Sequence, residues 1–309
     1  MPEILEIRDR PQLRHPLVIA GFAGWGNAGS AATGAVEYLI GDDRPAPAAM
    51  ADSDACLDFT VARPLTLRGG RDGWRLQLPQ IACYVVPRPA ANRDLVLVHG
   101  PEPNFRWSAL AAALAAYFAD LGAELVLMLG GYVGAVSHRT TAVSRRTLHA
   151  PLDVALAQLN VAGTDYEGPT AFQTMLLHAT HDQGIPAASL WTAAPPYVQG
   201  PSPKASLALL KIVEKLADTD LDLDRLEARS TDWVHHLDGM LASNPALTAQ
   251  LSRVINLEEP ETVPESTSSP VEPETPGSAP NLPTGSSLVA ELEEYLRKLR
   301  QNDEPSSGN

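Results

Sequence analysis

Three segments carry the residue types that could do chemistry. The first is GFAGWGNAGSAA, residues 21–32. Gly21, Gly24, Gly26 and Gly29 are spaced 3, 2 and 3, with Trp25, Asn27 and Ser30 among them. A turn of small residues that opens a helix can aim backbone N–H groups at an anion. The spacing is neither GxGxxG nor a P-loop, so a tight turn packing helix against sheet is the plainer reading. The second segment is HGPEPNFRWSA, residues 99–109. Glu102, Asn104 and Arg106 could form a polar cluster there, either as internal pairs beside a helix cap or as one wall of a crevice. The third is GGYVGAVSHRTTAVSRR, residues 130–146, the densest basic patch before the acidic tail. An Arg and a His near a helix N-terminus could hold a phosphate or carboxylate. As surface charge or a subunit contact they need no ligand. The candidate anion or ligand crevice thus comprises Gly24, Trp25, Gly26, Asn27, Glu102, Asn104, Arg106, His138 and Arg139.

Other chemistries find little support. His178, His181 and Asp182 share one helical turn, but no HExxH pattern exists. His235 and His236 are adjacent and point apart on a helix. Ser30 and Ser137 have Gly neighbours without a GxSxG elbow. Cys56 and Cys83 are the only cysteines and form no CxxC spacing, so neither a metal knuckle nor a disulfide framework is expected. No catalytic set, metal or cofactor is assigned, and the balance leans away from an enzyme.

These loops need a scaffold that brings them together. Residues 17–22 (LVIAGF), 95–99 (LVLVH), 124–129 (ELVLML) and 187–192 are short apolar runs that read as buried strands. Helices are expected at 28–40, 107–121 and 170–182 between them. Apolar strands alternating with helices predict an α/β fold with a mainly parallel sheet sandwiched by helices. In such sheets sites gather at the carboxyl ends of strands, which is where the three segments fall. Residues 52–88 read as a strand meander, an antiparallel extension. Residues 203–256 read as a helical part, with helices at 203–217, 222–241 and 245–256.

The composition bounds the partners. The 309 residues hold 37 acids and 23 bases, a net charge of −14. Residues 257–309 hold 11 acids against 3 bases, a net of −8. That balance argues against nucleic acid. The most apolar stretch, 109–135, is interrupted by Asp120 and Glu124, so no membrane span is expected. The charged opening MPEILEIRDR is unlike a signal peptide, and a cytoplasmic location is expected. The chain divides into an α/β core at 1–256, an acidic Pro-rich linker at 257–286, an amphipathic docking helix at 287–300 and a disordered tail at 301–309. The docking stripe is Leu288, Leu292, Tyr295, Leu296 and Leu299.

The same three regions resemble a known family. IAGFAGWGNAGSAA at 19–32, GPEPNFRW at 100–107 and EGPTAF at 167–172 resemble the signature segments of the proteasome assembly chaperone 2 family, in its actinobacterial branch. Residues 137–141 read SHRTT where the family typically has Pro-His-Thr-Arg-Pro. The resemblance implies a phosphorylase/hydrolase-like sandwich and a homo-oligomer, often a homotrimer. It implies a non-enzymatic scaffold or chaperone-like protein with protein partners such as proteasome-related subunits. Relatives often dock through a C-terminal hydrophobic–Tyr–any tail. Here the nearest such tripeptide, Glu294-Tyr295-Leu296, is internal. The alternative is a protein that binds a small phosphate or carboxylate, or a phosphorylase/hydrolase-like enzyme, using the 21–30 and 130–146 loops.

Overall fold

The four apolar runs pair side by side, and their alternate residues point to opposite faces. Strand β2 is typical: Leu17 and Ile19 enter one core, while Val18, Ala20 and Phe22 enter the other. Both faces of a strand this apolar must be covered, and helices cover them. The computed structural model describes residues 3–69, 73–198 and 200–243. The expected helix at 245–256, the linker, the docking helix and the tail lie outside the described residues.

The chain opens with β1 (Leu5–Ile7) and β2 (Leu17–Ala23). A single 3-10 turn (Ala28–Ser30) then leads into α1 (Ala31–Ile40), where one helix over 28–40 was expected. Next come β3 (Ala49–Ala51), the short α2 (Ser53–Cys56), β4 (Leu65–Arg68), β5 (Trp74–Gln77) and β6 (Ala82–Val86). The second half contains β7 (Leu95–Pro101), α3 (Trp107–Asp120), β8 (Leu125–Val133), β9 (Val143–Thr147), α4 (Ala150–Gln158), β10 (Ala162–Gly163), α5 (Phe172–Asp182) and β11 (Ala187–Ala194). Helices α6 (Pro203–Ala217) and α7 (Asp224–Ala242) complete the described chain.

Nine strands form one sheet in the order β1-β3-β6-β7-β2-β8-β11-β9-β10. The centre, β7-β2-β8-β11, is parallel. The flanks are mixed: β6 joins β7 antiparallel, and β9 joins β11 antiparallel. The meander therefore extends the main sheet through β6, while among the described residues β4 and β5 pair with each other in a separate hairpin. Residues 130–146, expected as a loop, are strand at both ends. Strand β9 (VSRRT) escapes an apolar search because its side chains are satisfied by pairing rather than burial: Arg145 Nε donates to Asp153 Oδ1 at 2.8 Å. Helix α2 is held by the Asp52 carboxylate, which accepts from the N–H groups of Asp54 and Ala55. That is an N-cap, and it opens the 52–88 segment, read as a strand meander, with a helical turn. No described helix is long and apolar enough to cross a membrane.

Both cysteines are buried and free. Burial pushes the Cys83 thiol up to about 12, and burial also raises Cys56. The thiolate is the reactive form, so Cys83 in the native protein should alkylate on the order of a thousandfold more slowly than a free thiol. Iodoacetamide labelling at mildly alkaline pH, read by mass spectrometry, should leave Cys83 unmodified until urea unfolds the chain.

Candidate functional site

The turns after β2 and β7 and the entry to α5 meet at one carboxylate. Glu102 Oε1 accepts from the N–H of Phe172 at 2.8 Å, and Oε2 accepts from the N–H of Trp25 at 3.2 Å. The N–H of Glu102 in turn donates to the Ala23 carbonyl at 2.5 Å. Phe172 is the first residue of α5, so the carboxylate also faces a helix N-terminus, where negative charge is favoured. Gly24 permits this approach. Its φ is +146°, and a Cβ there would lie 2.8 Å from Glu102 Oε2. Beneath the carboxylate, the Phe172 ring packs edge-on against Phe22 at 5.1 Å and against Trp107 at 5.8 Å. The Trp107 indole N–H donates to the Pro103 carbonyl at 2.6 Å.

Asn27 closes the start of α1. Its Oδ1 accepts from the N–H groups of Ala32 and Thr33 at 3.0 and 3.1 Å, and its Nδ2 donates to Thr33 Oγ1 at 2.9 Å. The N–H of Ser30 donates to the Asn27 carbonyl, and that of Ala31 to the Ala28 carbonyl. The donors a helix start would offer an anion are thus already paired. Gly26 accepts from the N–H of Gly131 at 2.8 Å, which ties this turn to β8. Asn104 serves the neighbouring loop: its Oδ1 accepts from the N–H of Asp58 at 2.8 Å, and its own N–H donates to the Cys56 carbonyl. Arg106 opens α3 from the left-handed region, at φ +56°, and its side chain makes no hydrogen bond or ion pair among the described residues.

His138 and Arg139 belong to a different cluster. His138 is 4% exposed. Its Nδ1 lies 2.7 Å from the Tyr197 hydroxyl and its Nε2 lies 2.8 Å from Asp238 Oδ1. The Tyr197 oxygen also accepts from the His138 backbone N–H. That leaves the phenol proton for Nδ1 and places the ring proton on Nε2, so one tautomer satisfies every group. Arg139 Nε donates to the same Asp238 oxygen at 2.7 Å. The bond from Arg139, and then that from His138, hold the Asp238 carboxyl below the usual carboxylate range. Burial raises the Tyr197 phenol, against the pull of the His138 N–H. No hydrogen bond joins this cluster to Glu102 or Asn27 among the described residues. Tyr197 and Asp238 lie 59 and 100 residues from His138 in sequence, and no spacing signal pointed to either.

The basic patch likewise turns inward. Arg145 pairs with Asp153 and the Val161 carbonyl, and Arg146 donates to the Tyr166 carbonyl. No group of three His, Cys, Asp or Glu among the described residues is arranged to hold a metal. Two surface clefts of about 730 and 470 Å³ lie by Pro11–Pro16 with Glu124, and by Arg88–Asn92 with Asp218. Both sit at the amino ends of the strands, away from the three loops. The carboxyl ends expose the rings of Trp25, Phe105, Tyr132 and Tyr166 beside charged side chains such as Arg106 and Arg139.

Residues 21–241 match the model of the PAC2 family. A PAC2 family protein from Streptomyces avermitilis is 34% identical, with 76% of this chain and 99% of that chain covered and a TM-score of 0.67. A proteasome-assembly chaperone homologue from Mycobacterium tuberculosis is also 34% identical, covering 74% and 96%, with a TM-score of 0.66. An archaeal proteasome activator from Pyrococcus furiosus shares the fold at 20% identity, covering 76% and 97%, with a TM-score of 0.60. No curated protein matches the chain.

Two outcomes follow from the geometry. Glu102→Ala strands two backbone donors, and should lower the unfolding free energy by about 2–3 kcal/mol in urea titrations. Asp238→Asn removes the anchor of the second half of α7. Asp238 titrates below its unfolded value near 3.9, so its contribution is present above about pH 4 and lost as pH falls through the lower native value. The variant should therefore lose stability at neutral pH, depend less on pH at the acid end, and exchange amide hydrogens faster over 231–242.

Proposed function

Because the chain belongs to the PAC2 family, we propose that it is a non-enzymatic, homo-oligomeric scaffold of the assembly-chaperone kind, which engages proteins through the carboxyl-end face of its sheet. The carrying observation is the contrast on that face. Its polar groups are consumed internally at Glu102, Asn27 and Asp238, while the rings of Trp25 and Phe105 stand in solvent. A crevice for a small anion needs several converging free donors, and of the cationic candidates His138 and Arg139 are engaged with Asp238 while Arg106 alone has no side-chain partner among the described residues. A protein-binding surface needs exposed rings framed by a rigid backbone, since aromatic anchors dominate such interfaces. The relatives described as a proteasome-assembly chaperone homologue and a proteasome activator make proteasome-related subunits the first partners to test.

One observation favours the second reading, a ligand-binding or phosphorylase/hydrolase-like role. A histidine between a phenol and a carboxylate is a proton-relay arrangement. Both ring nitrogens of His138 are engaged inside the fold, which makes the cluster a structural tie first.

Full-length protein immobilised on a sensor surface should retain purified proteasome α-subunits. Trp25→Ala with Phe105→Ala should weaken retention at least about thirtyfold, as loss of interface anchors worth about 2 kcal/mol does. Phosphorylase, nucleosidase and esterase substrates should give no turnover above blank. A kcat near ~1 s⁻¹ that disappears in His138→Ala would install the enzyme reading instead.

A further inference from the structure

Helix α7 carries an apolar stripe whose cover runs out along its length. Leu226, Ser230, Trp233, Leu237 and Met240 follow one another at spacings of 4, 3, 4 and 3, which places them on one face. Leu226 and Ser230 are buried, Trp233 and Leu237 are half-buried, and Met240 is 53% exposed. The register with α6 gives the reason. The six residues of 218–223 connect the two helices, and Lys211 Nζ pairs with Glu227 Oε1 at 2.7 Å. Eight residues before Lys211, α6 starts at Pro203; eight residues past Glu227, α7 has reached only His235. Residues 236–242 therefore overrun α6 by about 10 Å of helix. Asp238 ties this overhang to His138 and Arg139, but it sits about 100° round the helix from Leu237, on the flank of the stripe.

The sequence that follows the overhang has the matching pattern. Helix α7 ends at Ala242, with Ser243 as its C-cap. Pro245 lacks the N–H that a continuing helix needs and disfavours the helical region for Asn244, so the sequence calls for a turn there. Asn followed by Pro is also a pair that opens a helix. Leu247, Leu251 and Val254 then repeat the spacing of 4 and 3 found in the α7 stripe. As a helix, the twelve residues of 245–256 measure about 18 Å, the same length as residues 231–242.

We propose that residues 245–256 form a helix that folds back antiparallel on α7, setting Leu247 over Met240, Leu251 over Leu237 and Val254 over Trp233. Helices joined by a short connection lie side by side, and Ser243 and Asn244 alone stand between these two. Stripes with this spacing pack at a shallow crossing angle of about 20°. The segment is the occupant that the chain itself supplies. Leu247 is four residues past Ser243, so it stays within about 14 Å of it. That tether gives the segment a high local concentration at the stripe, whereas a second copy or another protein must offset the full cost of association. The contact gives the overhang of α7 an apolar cover beside its polar ties, and it does not depend on the oligomeric or partner reading above.

Hydrogen exchange and thiol cross-linking of the full chain test this. Leu247→Asp with Leu251→Asp should speed amide exchange over 231–242 at least about tenfold and leave exchange in α3 unchanged. Ala249→Asp, which puts a charge on the opposite side of the segment, should change neither. Met240→Cys with Leu247→Cys should form a disulfide on mild oxidation, seen on a non-reducing gel as a faster-running single chain of 33.0 kDa. Met240→Cys with Ala249→Cys should not. The native Cys56 and Cys83 are buried and do not compete. A disulfide that joins two chains would give the stripe to a second copy and overturn the inference. Exchange left unchanged by Leu247→Asp with Leu251→Asp would overturn it as well. If that variant also lost retention of proteasome α-subunits, the two leucines would belong to an external partner, and the proposed function would stand without this contact.

Discussion

The Glu102 carboxylate accepts from the N–H groups of Trp25 and Phe172, and its backbone N–H donates to Ala23. Through that one side chain the turns after β2 and β7 and the start of α5 hold a fixed relation. Hydrogen bonds to a charged acceptor are the stronger kind. Here they sit above a ring cluster of Phe22, Trp107 and Phe172 that anchors the same three segments from below. The three stretches that carry the family resemblance thus have one physical cause. Gly24, Glu102 and Phe172 depend on one another: a side chain at position 24 would collide with the carboxylate, and without the carboxylate the entry to α5 would lose its acceptor.

This internal satisfaction shapes what the face can do. Asn27 occupies the first donors of α1, so the glycine-rich turn acts as a rigid corner of the scaffold. Backbone groups that serve the fold cannot also serve a ligand. The exposed rings of Trp25 and Phe105 and the Arg106 side chain, unpaired among the described residues, stand beside this corner.

The His138 cluster plays a corresponding part at the edge. Helix α7 buries only Leu226 and Ser230, both in its first half. Its second half is fixed through Asp238, shared by His138 and Arg139, and through the Trp233 ring edge-on to His138 at 6.4 Å. A helix with so little apolar burial depends on such polar ties for its position. Their electrostatic share weakens as the carboxylate is protonated.

The apolar runs at 17–22, 95–99, 124–129 and 187–192 were legible as buried strands because a strand covered on both faces must be apolar throughout. Helix α6 was expected at 203–217 and runs Pro203–Ala217, with a Ser202 cap that the structure shows. The location of the three loops at the carboxyl ends followed from that alternation alone. Strands β1 and β3 were not legible, since three residues carry no periodicity. Nor was β9, whose arginines find partners only after α4 and β10 are in place. The candidate residues were chosen by type and spacing, and how they group in space was not legible. Glu102 reaches Phe172 across 70 positions, and His138 reaches Asp238 across 100. Local sequence sets periodicity, capping and turn chemistry, because those interactions close within a few residues. Which carboxylate meets which donor across such separations was decided only when the sheet order placed β7 beside β2 and β2 beside β8.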